Sequence, residues 1–237
     1  MEKSLNDVSY VRDNLAKIEE EIANACAAAG RRREEVTLMA VTKTVDAQRI
    51  NTAIEAGVSC IGENRVQEYL SKKDDLMLSN VSCHLIGHLQ TNKVRQIVGK
   101  VDMIQSVDSL RLAEEINRQS EKLGICTETL VEVNIGGEES KSGVAAERLT
   151  ELLEQISVLP FVRVKGLMCI PPISDSETVR RQYFSQMNKL FIDIQAKNMD
   201  NMSMDILSMG MSADYREAIC EGSTLVRVGT ALFGRRA

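Results

Sequence analysis

Leu38-Met39-Ala40-Val41-Thr42-Lys43-Thr44 is a run of apolar and small residues with a β-branched tail, ended by a single cation. It reads as a buried strand. The same pattern recurs along the chain. Strand-like runs fall near 37–42, 58–61, 83–87, 101–106, 128–134, 162–168, 204–208 and 224–228. Between them, 46–57, 63–73, 91–98, 109–123, 144–157, 176–197 and 212–220 carry helical patterns. Ahead of the first strand, residues 4–29 place Leu5, Val8, Val11, Leu15, Ile18, Ile22, Ala25 and Ala29 at spacings of three or four, and Gly30 is positioned to end that helix. Regular alternation implies parallel strands joined by crossover helices. Eight such units predict an α/β chain folded as a (β/α)8 TIM-like barrel with an extra N-terminal helix. A doubly wound open sheet is the competing architecture, but no Gly-x-Gly-x-x-Gly follows the first strand. Without a Pro/Gly/Ser-rich linker, residues 1–237 are read as one domain. Residues 136–143 read as a flexible loop after the fifth strand, and Pro171-Pro172 marks the loop after the sixth.

Hydrophobic residues make up 43% of the chain and aromatics only 3%, with no Trp, so the core must be built from Ile, Leu, Val, Met and Ala. A net charge of −5 argues against a general nucleic-acid binder. Arg31-Arg32-Arg33 reads as a solvated turn. No two of the six cysteines lie within twenty residues of each other, so no Cys-x-x-Cys metal or redox motif exists and no metal is expected. Cys60, Cys126 and Cys169 lie in or beside apolar runs, as core residues do. This usage suits a reducing compartment. The charged N-terminus does not read as a signal peptide, and no apolar run reaches the length of a membrane span. The expectation is a cytoplasmic protein that binds neither nucleic acid nor membrane.

Lys43 is the first candidate for chemistry. Burial disfavours the ammonium form, and a neutral amine attacks aldehydes and ketones to give a Schiff base. Taken alone, the stretch fits a lysine that snorkels to the surface from a strand end. The rest of the chain shifts the balance. Barrels carry their chemistry at the C-terminal ends of the strands, with phosphate commonly after strands seven and eight. After strand seven comes Ser208-Met209-Gly210-Met211-Ser212-Ala213-Asp214, where Ser212 reads as a helix N-cap. After strand eight, Gly229 allows close backbone approach and Thr230 adds a hydroxyl. Each turn alone also fits an ordinary structural turn. Together with Lys43 they point to pyridoxal 5′-phosphate (PLP) or a phosphorylated sugar. Arg227 should project into the mouth from strand eight. In many PLP enzymes a carboxylate keeps the pyridine nitrogen protonated. An arginine only donates hydrogen bonds and would leave the ring a weaker electron sink. The plainer reading of Arg227 is a surface ion pair.

Several segments carry a family resemblance: Val41-Thr42-Lys43-Thr44, Ile61-Gly62-Glu63-Asn64, His84-Leu85-Ile86-Gly87-His88-Leu89-Gln90-Thr91-Asn92-Lys93, Lys141-Ser142-Gly143, Gly166-Leu167-Met168, Leu207-Ser208-Met209-Gly210-Met211-Ser212 and Val226-Arg227-Val228-Gly229-Thr230-Ala231-Leu232-Phe233-Gly234. In this order they resemble the pyridoxal phosphate homeostasis proteins, also called the PLP-binding protein family. The resemblance implies a barrel like the N-terminal domain of alanine racemase, with PLP as cofactor in an aldimine to Lys43. It implies that Ser212, Gly229 and Thr230 hold the phosphate, that Arg227 faces the pyridine nitrogen, and that Asn64 and Met211 lie near the cofactor. Cys83, Arg65 and Thr42 stand where the family usually has Trp, Tyr and Ser.

Racemisation needs proton transfer on two faces of the substrate. The racemase supplies its second base from an additional domain, for which this sequence has no counterpart. The only histidines are His84 and His88, and His84 is read as a hydrogen-bonded structural group. Tyr215 is read as part of the helix after the seventh strand. The leading expectation is therefore a non-catalytic, monomeric PLP-binding protein that buffers the cofactor or delivers it to PLP-dependent apoenzymes. The alternatives are a PLP-dependent amino-acid enzyme such as a weak racemase, and a Schiff-base aldolase for a phosphosugar.

Overall fold

The computed structural model describes residues 8–138 and 141–234. Its elements follow the predicted alternation. They are α1 (Ser9–Ala28), β1 (Thr37–Val41), α2 (Ala47–Glu55), β2 (Cys60–Glu63), α3 (Val66–Lys72), β3 (Ser82–Leu85), α4 (Val94–Ile97), β4 (Met103–Val107), α5 (Leu110–Leu123), β5 (Thr127–Asn134), β6 (Val144–Ala145), α6 (Leu149–Ser157), β7 (Val162–Cys169), α7 (Glu177–Gln195), β8 (Met202–Met211), α8 (Tyr215–Cys220), β9 (Leu225–Val228) and α9 (Thr230–Phe233). Every predicted strand has a counterpart, within a few residues at each end.

Eight strands close into a parallel barrel in the order β1-β2-β3-β4-β5-β7-β8-β9. The last joins the first through Thr37–Leu225 and Ala40–Val228 register pairs. The two-residue β6 is added beside β5. It takes the start of the segment predicted as helix 144–157, and one 3-10 turn over 146–148 precedes α6.

The strand period of two sorts the side chains between two layers. On β1, Leu38 and Ala40 pack outward into the main core against the helices. Met39 points the other way, into an interior cluster with Cys60, Ile86 and Leu225. A second interior cluster holds Met103, Leu130 and Met168. With so few aromatics in the chain, Met and Leu fill much of the barrel's inside, the unbranched Met adapting to irregular gaps.

The apolar stripe of α1 is buried at Val11, Leu15, Ile18 and Ile22, and the helix packs against α8 and α9. The predicted start of this helix at 4–7, with Leu5, lies outside the described residues, as do Glu139 and Ser140 of the predicted loop. Two readings need correction. Arg31 is not a solvated turn residue: its guanidinium donates to the carbonyls of Ile219 and Ser223 at 2.9 and 2.8 Å, fixing α1 to the end of α8. Cys126 is exposed, whereas Cys60 and Cys169 are buried as expected. No helix among the described residues is long and apolar enough to cross a membrane.

Gly166 is required where β7 meets β8. Its φ is +150°, and a Cβ built there would stand 1.8 Å from the carbonyl oxygen of Ile206. Gly124 ends α5 at φ +65° but has open space around it. Gly124→Ala therefore meets only the left-handed backbone penalty, about 1–2 kcal/mol. Gly166→Ala adds a backbone clash inside the barrel wall, so its loss of stability in urea unfolding should exceed that of Gly124→Ala at least twofold, and equal losses would contradict this reading of the seam.

Candidate functional site

The C-terminal ends of β1, β2, β8 and β9 bring the candidate residues to one end of the barrel. Met39 and Val41 lie on the inner face of β1. Lys43 lies two residues past the end of β1, in the turn over 43–44, and is half-buried. Thr42 is fully buried. Its hydroxyl bonds the Glu63 carboxylate and the Gly62 carbonyl. Thr44, directly after the lysine, takes φ +60°, a conformation that β-branched residues avoid.

Asn64 lies two residues beyond the Val41–Gly62 register pair, as Lys43 does on β1. Its Oδ1 is buried with no hydrogen-bond partner. Such an orphaned acceptor is costly unless a ligand satisfies it.

The turns after β8 and β9 meet at Ser212. Its Oγ accepts the backbone N–H groups of Gly229 at 3.2 Å and Ala231 at 3.3 Å. Ser212 is thus not the expected N-cap, because α8 begins only at Tyr215. It joins two turns instead. Asp214, which could oppose an anion here, is buried and accepts the Met211 N–H at 2.6 Å. Burial raises its carboxyl pKa, which that hydrogen bond partly offsets. Met211, at the end of β8, is register-paired with Arg227 and is exposed. Thr230 is the first residue of α9 and is exposed. Gly229 has φ −115°, so the backbone does not demand glycine there. A Cβ at Gly229 would lie 3.4 Å from Val41 Cβ, an ordinary contact. That proximity places the Ser212–Gly229 turn beside the strand carrying Lys43.

Arg227 is neither exposed nor in an ion pair at the surface. It is 3% exposed, inside the barrel. Its Nη1 donates to Ser208 Oγ at 2.6 Å and its Nη2 to the Cys169 carbonyl at 2.8 Å. Burial lowers its pKa, with Cys169, Glu132 and Asp214 opposing. Ser208 in turn donates to Gln105 Oε1 at 2.8 Å, and Gln105 Nε2 lies 2.8 Å from His84 Nδ1. The amide nitrogen can only donate, so Nδ1 accepts. His84 Nε2 then carries the proton and donates to Ser82 Oγ at 2.9 Å. This tautomer follows from the hydrogen bonds. Burial also pushes the His84 pKa down to about 4. His84 is a neutral structural link, as read from the sequence. Tyr215 opens α8 and donates to Glu21 on α1 at 2.5 Å, which occupies its hydroxyl away from the turn.

The sequence reading missed Glu132. It shares the inner face of β5 with Leu130 and is 7% exposed. Burial raises its pKa to about 7, Asp108 adds to the rise and Arg227 opposes it. The available signal was an acid inside the apolar run Leu130-Val131-Glu132-Val133. It also missed Lys72 and Glu68, which bracket the Lys43 turn with Glu63. Among the described residues no group of His, Cys, Asp and Glu could hold a metal ion. The site brings together Lys43, the Ser212 hydroxyl that joins two turns, and the buried cation of Arg227.

The alanine racemase N-terminal domain family matches residues 14–237. A pyridoxal phosphate homeostasis protein of Aquifex aeolicus is 43% identical over 224 residues, 94% of this chain and 97% of the relative. The structure of PipY from Synechococcus elongatus with PLP bound is 34% identical with a TM-score of 0.82, covering 94% of this chain and all of that one. An alanine racemase from Clostridium difficile shares the fold at TM-score 0.76 and 16% identity, and this chain spans 60% of its length.

The raised Glu132 pKa has a consequence for stability. Its carboxyl ionises near pH 4.3 when unfolded and near 7 when folded. The stability it contributes is present below the unfolded value and is lost as pH rises through about 7. Glu132→Gln should match the parent at pH 4 and exceed it at pH 8 by on the order of 3 kcal/mol in denaturant melts. A parallel pH dependence in both proteins would contradict the assignment.

Proposed function

The chain belongs to the pyridoxal phosphate homeostasis protein family, on the alanine racemase N-terminal barrel, and on that premise we propose that it binds PLP reversibly and buffers or delivers it without turnover of its own. The observation that carries this reading is the approach of Gly229, in the turn where Ser212 gathers the Gly229 and Ala231 N–H groups, to Val41 at the end of the strand that leads into Lys43.

The residues present fit the cofactor. The Ser212 hydroxyl accepts two N–H groups and keeps its own proton to donate to a phosphate oxygen. Gly229 has a normal φ and room for a Cβ on its protein side, so the advantage of glycine there lies on the ligand side. Gly229 and Thr230 complete the cradle. Lys43 would hold the aldehyde carbon, with Asn64 and Met211 near the ring and the Asn64 Oδ1 available to a donor. Bound PLP supplies an electrophilic carbon and an electron-withdrawing ring. Arg227 tempers that ring, since a guanidinium offers no acceptor to a protonated pyridine nitrogen.

The same features support a carrier over an enzyme. His84 has both nitrogens engaged within the barrel, so it offers no proton to a substrate. The reading extends to a monomer working in the cytoplasm and supplying PLP-dependent apoenzymes. The free state of all six cysteines fits a reducing compartment.

Mixed with PLP, the protein should acquire a visible absorption band that Lys43→Ala abolishes. Ser212→Ala should keep the band but bind PLP about tenfold more weakly, the scale of one hydrogen bond to a charged group. Failure of the parent protein to acquire the band would contradict the reading. Across a panel of amino acids in deuterated water, the loaded protein should show no enzymatic exchange of the α-proton, and robust exchange would make it an enzyme, with Glu132 the first base to test.

A further inference from the structure

We propose that Lys72, Glu63 and Glu68 form a positioning clamp that holds the Thr42–Thr44 turn so that the Lys43 amine faces the barrel mouth. This rests on Lys43 being the residue that captures PLP.

Lys72 Nζ lies 2.7 Å from Glu63 Oε1 and 3.2 Å from Glu68 Oε1, and it donates to the Thr42 carbonyl at 2.8 Å. An ammonium has three protons, which these three nearest partners can take up, and the Val45 carbonyl lies farther off at 3.5 Å. The side chains of Lys72 and Glu63 are 12% and 2% exposed, and that of Glu68 is 24%. The two carboxylates then reach the two sides of Lys43. Glu63 bonds the Thr42 hydroxyl, and Glu68 accepts the Thr44 N–H. The residue before the lysine and the residue after it are both tied to one buried network. Between them lies Lys43, in the turn just past the end of β1.

Two observations argue that the network fixes geometry beyond adding stability. Glu63 Oε2 is buried with no hydrogen-bond partner. A buried ion pair with an unsatisfied oxygen is often less stable than apolar residues of the same volume. The second is the φ of +60° at Thr44, which costs about 1–2 kcal/mol for a residue with a Cβ. Strain of this kind persists where the surroundings over-determine it, and it clusters at functional positions. Without the Glu68 carboxylate, Thr44 is free to relax to negative φ and swing the adjacent Lys43 away from the Ser212–Gly229 turn.

Capture joins Lys43 Nζ to the aldehyde carbon and releases the carbonyl oxygen as water, with no oxidant or reductant. Its rate depends on where the amine is held, while phosphate binding depends on the cradle. The test measures both in the full chain. Stopped-flow growth of the visible band reports capture of PLP. Equilibrium binding of the alcohol analogue, pyridoxine 5′-phosphate, reports the cradle alone. Glu68→Ala should slow capture by about tenfold to a hundredfold, the scale of a small misplacement of a reacting group, with analogue affinity unchanged. Thr44→Gly added to Glu68→Ala should recover part of the rate, because glycine adopts positive φ without penalty. Lys72→Met should show the same split between capture and analogue binding, and it provides the second route if either variant folds poorly. Unchanged capture in Glu68→Ala, or capture and analogue affinity falling together, overturns the clamp while leaving the PLP reading intact. Absence of the band in the parent protein overturns that reading and the clamp with it.

Discussion

A guanidinium that keeps its charge is buried inside this barrel, and the arrangement of the site follows from how the protein satisfies it. Arg227 on β9 is held by the Ser208 hydroxyl of β8 and by the Cys169 carbonyl at the end of β7. An isolated buried charge costs several kcal/mol, so these bonds must be made. The demand passes on through Ser208 to Gln105 of β4 and His84 of β3, each with its donor direction fixed by the previous one. Five strands are thereby tied together across the interior. The apolar clusters around Met39 and Met103 fill the remaining space. A barrel so specified keeps one cation buried in its interior and commits its one buried histidine to structure.

The barrel was legible in the sequence because its signal is repeated. Each strand run is short, but eight runs alternating with helical patterns leave few architectures. Lys43, Ser212, Arg227, Gly229 and Thr230 stood out as candidates because they lie at or just past the C-terminal ends of strands, where a barrel's chemistry sits. What escaped depends on contacts between distant segments. Glu68 and Lys72 are four apart on α3 and read as an ordinary solvated helix pair. Only the fold delivers Glu63 and the Thr42 carbonyl to the same ammonium. Ser212 looked like a helix cap because the sequence does not show that the turn after β9 arrives beside it. Arg227 fitted a surface ion pair equally well, since its acceptors are a backbone carbonyl and a serine without charge. Cys126 shows the reverse error: it adjoins an apolar strand yet faces solvent.

Holding and reacting make different demands on a lysine. Holding needs an amine aimed at one carbon and an anion cradle, the parts that the proposed reading gives to Lys43 and to the Ser212–Gly229 turn. Reacting needs, in addition, a proton donor and acceptor on opposite faces of a substrate and a ring kept electron-poor. In the proposed reading Arg227 works against the second requirement, and the hydrogen bonds of His84 remove one candidate for the first. Precision has been placed around Lys43 instead, where the buried Glu63, the half-buried Glu68 and a strained Thr44 fix the turn that carries it.

The most direct measurement follows cofactor and recipient together. The protein loaded with PLP is mixed with an inactive PLP-dependent apoenzyme, and the visible band and the recipient's activity are read over time. A carrier predicts that the band declines as the recipient's activity appears, in matching amounts. A band that persists while the recipient stays inactive, although free PLP activates it, would contradict the account.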